Sequence, residues 1–270
     1  MPSFLEITPD KLNRIIGTPN SPTIIDVRND EDFAADPRLI PGSIRRDYRT
    51  VTDWANELAG PAIVLCQKGQ KLGHGVAAHL RVFGKEAEVL EGGFEAWRAA
   101  KGMLVAEEKL PPRDAKGRTL WVTRARPKID RIACPWLIRR FIDPAAIFLF
   151  VPAAEVAAVA DRFKATPFDI EDVFWSHRGE LCTFDVMIEE FGLGSEPLLH
   201  LATIVRGADT ARPDLAPEAH GLLAASLGLS RMFNDDLAQL EAGMTLYDAF
   251  YRWCRDATEE THNWPNPRKV

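Results

Sequence analysis

The sequence predicts two domains: an α/β unit, with a parallel sheet covered by helices on both faces, followed by an α+β, mainly helical unit. Three observations predict this. Over the first hundred-odd residues short apolar runs alternate with amphipathic stretches, the pattern of buried parallel strands joined by crossover helices. The stretch from Glu107 through Pro111-Pro112 to Gly117 is polar and lacks apolar periodicity, as an inter-domain linker does. Beyond it, helical periodicity dominates. The boundaries so read are 1–106 for the first domain, 107–117 for the linker and 118–270 for the second domain. A chain of 270 residues with 46% hydrophobic content can build one large or two ordinary cores, at roughly 100–200 residues per domain.

In the first domain, Thr8-Pro9 supplies an N-cap and an N1 proline for a helix over 10–16. Thr23–Val27, Ile63–Leu65 and Glu88–Leu90 are apolar runs suited to buried strands. Leu72–Phe83, with Val76, Leu80 and Phe83 on one stripe, reads as the crossover helix between the last two. Ligands in such sheets gather at the carboxyl ends of strands, and Cys66 falls at that end. Its loop, Cys66-Gln67-Lys68-Gly69-Gln70-Lys71, feeds straight into the helix. A helix N-terminus and two nearby lysines favour thiolate over thiol, and Gly69 permits the curl that turns successive amides inward. Cys66 is therefore the expected nucleophile, with Gln67, Lys68, Gly69, Gln70 and Lys71 forming a cradle for a bound anion. Asp26 and Arg28 read as an ion pair that braces a loop. His74 and His79 are five residues apart, which places them on different helix faces and speaks against a metal pair.

Four blocks in this order resemble the rhodanese family: Ile25-Asp26-Val27-Arg28 followed by Glu31 and Phe33; Ile40-Pro41-Gly42-Ser43-Ile44; the six-residue loop Cys66–Lys71; and Leu90-Glu91-Gly92-Gly93-Phe94-Glu95-Ala96-Trp97. The resemblance implies a ping-pong sulfurtransferase, in which Cys66 takes a sulfane sulfur from thiosulfate or a persulfide and passes it to a thiol or thiophilic acceptor. Gln67 and Lys71 depart from the arginines common in family loops, and lysine lacks the bidentate fork of arginine. Leu72 stands where a hydroxyl residue is frequent.

In the second domain, Leu120–Thr123 and Phe148–Val151 read as strands, with a helix over 152–163. Pro135 is expected in the first turn of a helix, because an interior proline removes a bond and clashes; Cys134 would then be a second thiol near a helix N-terminus. Phe174–His177 and Leu181–Phe184 flank Arg178-Gly179-Glu180 as a hairpin would. Helices are expected at about 197–206, 216–227, 233–242 and 244–257. Between Arg113 and Arg140 nine Lys or Arg stand against two acids, in a chain of net charge -6. Arg124, Arg126, Arg131, Arg139 and Arg140 thus form a candidate clamp for a tetrahedral oxyanion. A solvated, ion-paired helix face is the competing reading. DNA contact is disfavoured by the acidic charge and by the lack of a helix-turn-helix pattern. Cys134, His177, Cys182 and His200 are metal-binding residue types without a ligand spacing, so neither a metal nor a cofactor is expected.

The strings WVTRARPKIDRIACPWLIRRFIDPAAIFLFV from Trp121, HRGELCTF from His177 and LYDAFY from Leu246 resemble the C-terminal domain of the chromate-resistance ChrB-type family. That resemblance implies an association with chromate resistance, and chromate as a possible ligand. Arg206 stands where the family usually has His, within Ile204–Asp209. Together the two domains predict a sulfurtransferase linked to oxyanion stress, or alternatively a non-catalytic oxyanion or redox sensor. No apolar stretch approaches the roughly 20 residues that span a bilayer. The opening Met1–Ile7 has no basic, apolar leader pattern. Four scattered cysteines read as reduced thiols, so a cytoplasmic protein without a membrane partner is expected.

Overall fold

A computed structural model describes residues 5–260. The chain begins β1 (Glu6–Ile7), α1 (Pro9–Ile15), β2 (Thr23–Asp26), α2 (Asp30–Ala35), β3 (Arg38–Leu39) and β4 (Ser43–Arg45). It continues α3 (Val51–Trp54), β5 (Ala62–Leu65), α4 (Lys71–Val82), β6 (Ala87–Leu90), α5 (Gly93–Ala99) and β7 (Val105–Ala106). Five strands form a parallel sheet in the order β1-β6-β5-β2-β4, and β3 pairs antiparallel with β7. Side chains alternate across the sheet, so neighbours in sequence feed opposite faces. Ile25, Val64 and Val89 pack with Val51 and Trp54 of α3 and Val76 and Leu80 of α4. Ile24, Ile63, Leu65 and Leu90 face the other way, onto Leu12 of α1 and Phe94 and Trp97 of α5. The expected α/β layering is observed, with element ends shifted by a residue or so.

The second domain holds β8 (Leu120–Arg124), α6 (Asp130–Leu137), β9 (Ile147–Val151), α7 (Val156–Phe163), β10 (Thr166–Pro167), α8 (Thr183–Phe191), α9 (Glu196–Asp209), α10 (Glu218–Met232) and α11 (Asp236–Asp256). It is mainly helical, and its three strands form a parallel sheet in the order β10-β8-β9. The two domains share one hydrophobic cluster that runs from Leu12 and Phe94 through Trp121, Trp136 and Phe141. Gly42 N donates to Phe141 O at 2.6 Å, and Gly17 leaves room for the Phe141 ring, which a Cβ there would meet at 2.2 Å. The segment 107–117 carries a single turn of 3-10 helix, Glu107–Lys109, and Lys109 pairs with Glu190 of α8 at 2.9 Å.

Three expectations for this domain are corrected. Pro135 lies inside α6, not in its first turn, because the helix begins at Asp130. Downstream of it the helix widens into a π-turn over Ile138–Ile142, closed by Asp143 N to Ile138 O at 2.8 Å. Cys134 is accordingly mid-helix and fully buried. The hairpin reduces to one bridge, Arg178–Leu181, because Thr183 N and Cys182 N are captured by Asp130 and Asp185 to start α8. Finally, α11 runs unbroken through Gly243, where two helices were expected. That glycine admits Ile132 of α6, whose Cγ2 would lie 2.5 Å from an added Cβ. Close helix packing, not helix termination, explains it.

Candidate active site at Cys66

Cys66 is the residue that follows β5, and it is 4% exposed. The sulfur sits against the first turn of α4: a Cβ placed on Gly73 would lie 3.5 Å from Cys66 Sγ. Gln70, the residue before α4, places no side-chain cap on the helix. The four leading N–H groups of a helix have no partner within it, so the positive end of this 12-residue helix is left for an anion at the sulfur. Cys66 Sγ donates to Gln70 O at 4.0 Å, and among the described residues no amide of 67–71 donates to the sulfur.

The loop is held from below by the Gly92-Gly93 turn. Phe94 N donates to Cys66 O and Glu95 N to Gln67 O, both at 3.0 Å. Gly69 and Gly93 adopt φ +60 and +61, a conformation that costs other residues steric strain. A Cβ on Gly93 would lie 2.2 Å from Cys66 O, and one on Gly69 2.6 Å from Leu90 O. The close approach of these two turns therefore requires glycine at both. Gln67 Nε2 reaches Glu95 Oε1 at 3.2 Å, which ties the loop to α5. Lys68, Gln70 and Lys71 are exposed, and neither lysine is engaged in an ion pair among the described residues. Their charge is left to face an incoming anion.

Asp26 and Arg28 form the expected brace rather than a catalytic pair. Both are buried, their closest contact is 2.6 Å, and Arg28 also donates to Asp36 O and Arg38 O. The guanidinium lies 3.8 Å from the Phe94 ring centroid, immediately beside the Gly93 turn. His74 is paired with Glu6 at 3.2 Å. The other cysteines differ from Cys66 in setting. Burial pushes the thiols of Cys134 and Cys182 well up, and that of Cys254 up to about 12.

The five arginines of the second domain do not converge. Arg139 pairs with Glu241 at 2.6 Å and Arg140 with Asp248 through two bonds of 2.7 and 2.8 Å. Arg126 is spent on the carbonyls of Ser230 and Phe233. Arg131 and Arg124 meet only at Asp169, at 3.2 and 3.7 Å. Each is thus drawn to a carboxylate or carbonyl, where solvation and pairing are cheaper than like-charge crowding. Cationic side chains gather instead around a cavity of about 370 Å³ at the domain junction, lined in part by Arg46, Arg113, Lys116 and Arg118. Three of these, Arg113, Lys116 and Arg118, flank or fall within the stretch read as linker.

Of the weighed metal-ligand types, Cys134 and Cys182 are fully buried and His200 packs on Trp253 at 5.4 Å. His177 is the exception. It is gathered with Asp130, at the start of α6, Asp169, after β10, and Asp209, at the end of α9. Its Nε2 lies 3.2 Å from Asp209 Oδ2, 3.4 Å from Asp169 Oδ1 and 3.5 Å from Asp130 Oδ2. The carboxylates of Asp130, Asp169 and Asp209 around it push the imidazole up to about 12, and burial pushes the Asp130 carboxyl up to about 7. The backbone before Asp130 is strained, with Ile129 at φ 37. Sequence spacing does not announce this cluster, because its members are 32 to 79 positions apart except for the eight between Asp169 and His177.

The Rhodanese-like domain family matches residues 8–100, and the ChrB C-terminal domain family matches residues 121–254. Protein ChrB of Cupriavidus metallidurans is 37% identical over 142 residues, which are 52% of this chain and 42% of that protein. The chain thus spans less than half the length of this relative. Thiosulfate sulfurtransferase GlpE of Pseudomonas aeruginosa is 28% identical over 99 residues, 36% of this chain and 86% of GlpE. Among solved structures, a rhodanese-like domain protein from Staphylococcus aureus is 29% identical with a TM-score of 0.31, covering 34% of this chain and 89% of that one. A rhodanese-related protein from Thermoplasma volcanium is 20% identical with a TM-score of 0.34, covering 38% of this chain and 100% of that one.

Proposed function

This chain joins a Rhodanese-like domain to a ChrB C-terminal domain, and on that premise we propose that it is a sulfurtransferase working through a persulfide on Cys66. The observation that carries the reading is the sulfur's position at the end of β5, against the uncapped first turn of α4. A helix N-terminus stabilises an anion there, and both the Cys66 thiolate and its persulfide are anions. In the first half-reaction the Cys66 thiol gives its proton to solvent and the thiolate attacks the outer sulfur of thiosulfate. A new S–S bond forms, the donor's S–S bond breaks, and sulfite leaves with the electron pair. In the second, an acceptor thiolate attacks the outer sulfur of the Cys66 persulfide, and Cys66 is released as thiolate. Lys68 and Lys71, exposed and without ion pairs, draw the anionic donor to the loop and balance its charge. Gln67 and the Gly92-Gly93 turn fix the loop's shape.

The setting we infer is a response to chromate or a similar oxyanion, in which the second domain directs the activity. Four free cysteines fit a reducing compartment, and no helix among the described residues is long and apolar enough to cross a membrane. The test is steady-state sulfur transfer from thiosulfate to a small thiophile, wild type beside Cys66→Ser. The variant is expected at background, with Cys134→Ser, Cys182→Ser and Cys254→Ser retaining most activity wherever they fold. Full activity in Cys66→Ser would remove the proposal.

A further inference from the structure

We propose that His177, Asp130 and Asp209 form a site for one divalent transition-metal ion in the second domain. The three ligand atoms lie within 4.8 Å of one another. The chain invests three separate segments in this point: the start of α6, the end of α9 and the turn before α8.

An ion-paired histidine does not account for the geometry. His177 Nε2 carries at most one hydrogen, yet three carboxylate oxygens surround it at 3.2, 3.4 and 3.5 Å. A charge-assisted N–H···O bond contracts to about 2.7–2.9 Å, and none of the three has done so. Two donors each about 2.1 Å from a shared ion, at tetrahedral or octahedral angles, stand roughly 3.0–3.4 Å apart. The 3.2 Å spacing to Asp209 falls within that range, and the 3.5 Å spacing to Asp130 lies 0.1 Å beyond it.

A second observation points the same way. Asp130 is 0% exposed, and while its Oδ2 accepts from Thr183 N at 2.6 Å, its Oδ1 has no donor. A buried carboxylate oxygen without a partner costs free energy unless something cationic meets it. Asp169, beside the cluster, already has Arg131 and Arg124. Asp130 and Asp209 have no lysine or arginine ion pair among the described residues, so their two charges match one divalent ion. As the cation enters, the Nε2 proton leaves to solvent.

Donor chemistry narrows the ion to the divalent transition metals. One imidazole with two carboxylates is too hard a set for Cu(I), and the nitrogen disfavours Mg²⁺ and Ca²⁺. Thr183 N donates to Asp130 Oδ2 and Thr183 Oγ1 to Asp169 Oδ1 at 2.9 Å, so one residue fixes both carboxylates. The His177 side chain is 41% exposed, so the ion's outer face would be open to water or to a small oxygen ligand.

The test uses the full chain, stripped with chelator and titrated with MnCl2 while the electron paramagnetic resonance signal of free Mn²⁺ is followed. One equivalent is expected to bind, with Zn²⁺ displacing it and equimolar Mg²⁺ failing to. His177→Gln and Asp209→Asn should each weaken binding tenfold or more, while Cys66-dependent sulfur transfer stays unchanged. If either variant fails to fold, the wild-type melting temperature is read instead, and it should rise with Mn²⁺. No saturable Mn²⁺ or Zn²⁺ binding, wild-type affinity in both variants, displacement by equimolar Mg²⁺, or a melting temperature indifferent to Mn²⁺ would each overturn the assignment.

Discussion

Replacing Gly93 by alanine should disable the Cys66 loop from outside it. Gly93 adopts φ +61, and an added Cβ would lie 2.2 Å from Cys66 O, 2.4 Å from Gly69 N and 2.9 Å from Gln67 O. Non-bonded heavy atoms settle at roughly 3.5–4.0 Å, so the Cys66 carbonyl must retreat by about 1 Å or more. The left-handed backbone costs alanine about 1–2 kcal/mol. Retreat also breaks Phe94 N to Cys66 O and Glu95 N to Gln67 O, at about 0.5–1.5 kcal/mol each. The sum is roughly 2–5 kcal/mol of stability. A reacting atom displaced by about 1 Å can lose on the order of a hundredfold in rate. The assay pairs urea unfolding with kcat/KM for sulfur transfer. Gly75→Ala is the control: nothing lies within 4 Å of its Cβ, and helix-interior alanine gains about 0.5–1 kcal/mol. Gly93→Ala matching wild type in both stability and kcat/KM would refute the packing argument.

Three other outcomes are expected. In the folded protein a small alkylating agent should modify Cys66 alone, since burial pushes the other three thiols up; early labelling of Cys134 or Cys182, read by peptide mass mapping, would contradict this. Arg28→Met should cost about 3–5 kcal/mol in urea unfolding, because it strands the buried Asp26 carboxylate, whereas a loss below about 1 kcal/mol would make the brace dispensable. Arg178 and Lys109 hold the Glu190 carboxyl below its usual range. Its contribution is therefore present above the unfolded value of about 4.3 and lost as pH falls through the lower folded value. Glu190→Gln should flatten the acid limb of stability below about pH 4.3 in a circular-dichroism titration, and an unchanged limb would discount the pair.

The first domain was legible because its signals are local. Ile63–Leu65, Cys66, Gly69 and the helix after Lys71 are consecutive, and one stretch of sequence carries strand, loop and helix start together. The role of Gly93 in docking that loop was visible only as part of a motif, since its contact with Cys66 spans 27 positions. The second domain hid more. Pro135 and Gly243 carry local signals for helix starts and ends, and both are overruled by packing between α6 and α11. The density of arginines in 113–140 suggested one anion clamp, but their partners Glu241, Asp248 and Asp169 lie on other elements and pull them apart. The His177 cluster was missed for the same reason. Asp130, Asp169 and Asp209 look like ordinary surface carboxylates in a chain with 39 acids, and only the fold buries them around one imidazole.

The central claim is that Cys66 carries a transferable sulfur. Intact-mass and peptide mass spectrometry of the protein after exposure to thiosulfate, quenched with an alkylating agent, tests it most directly. One added sulfur atom is expected, located on the peptide bearing Cys66 and removed by a thiol acceptor or cyanide. No mass gain, or a sulfur placed on Cys134, Cys182 or Cys254 with Cys66 unmodified, would contradict it.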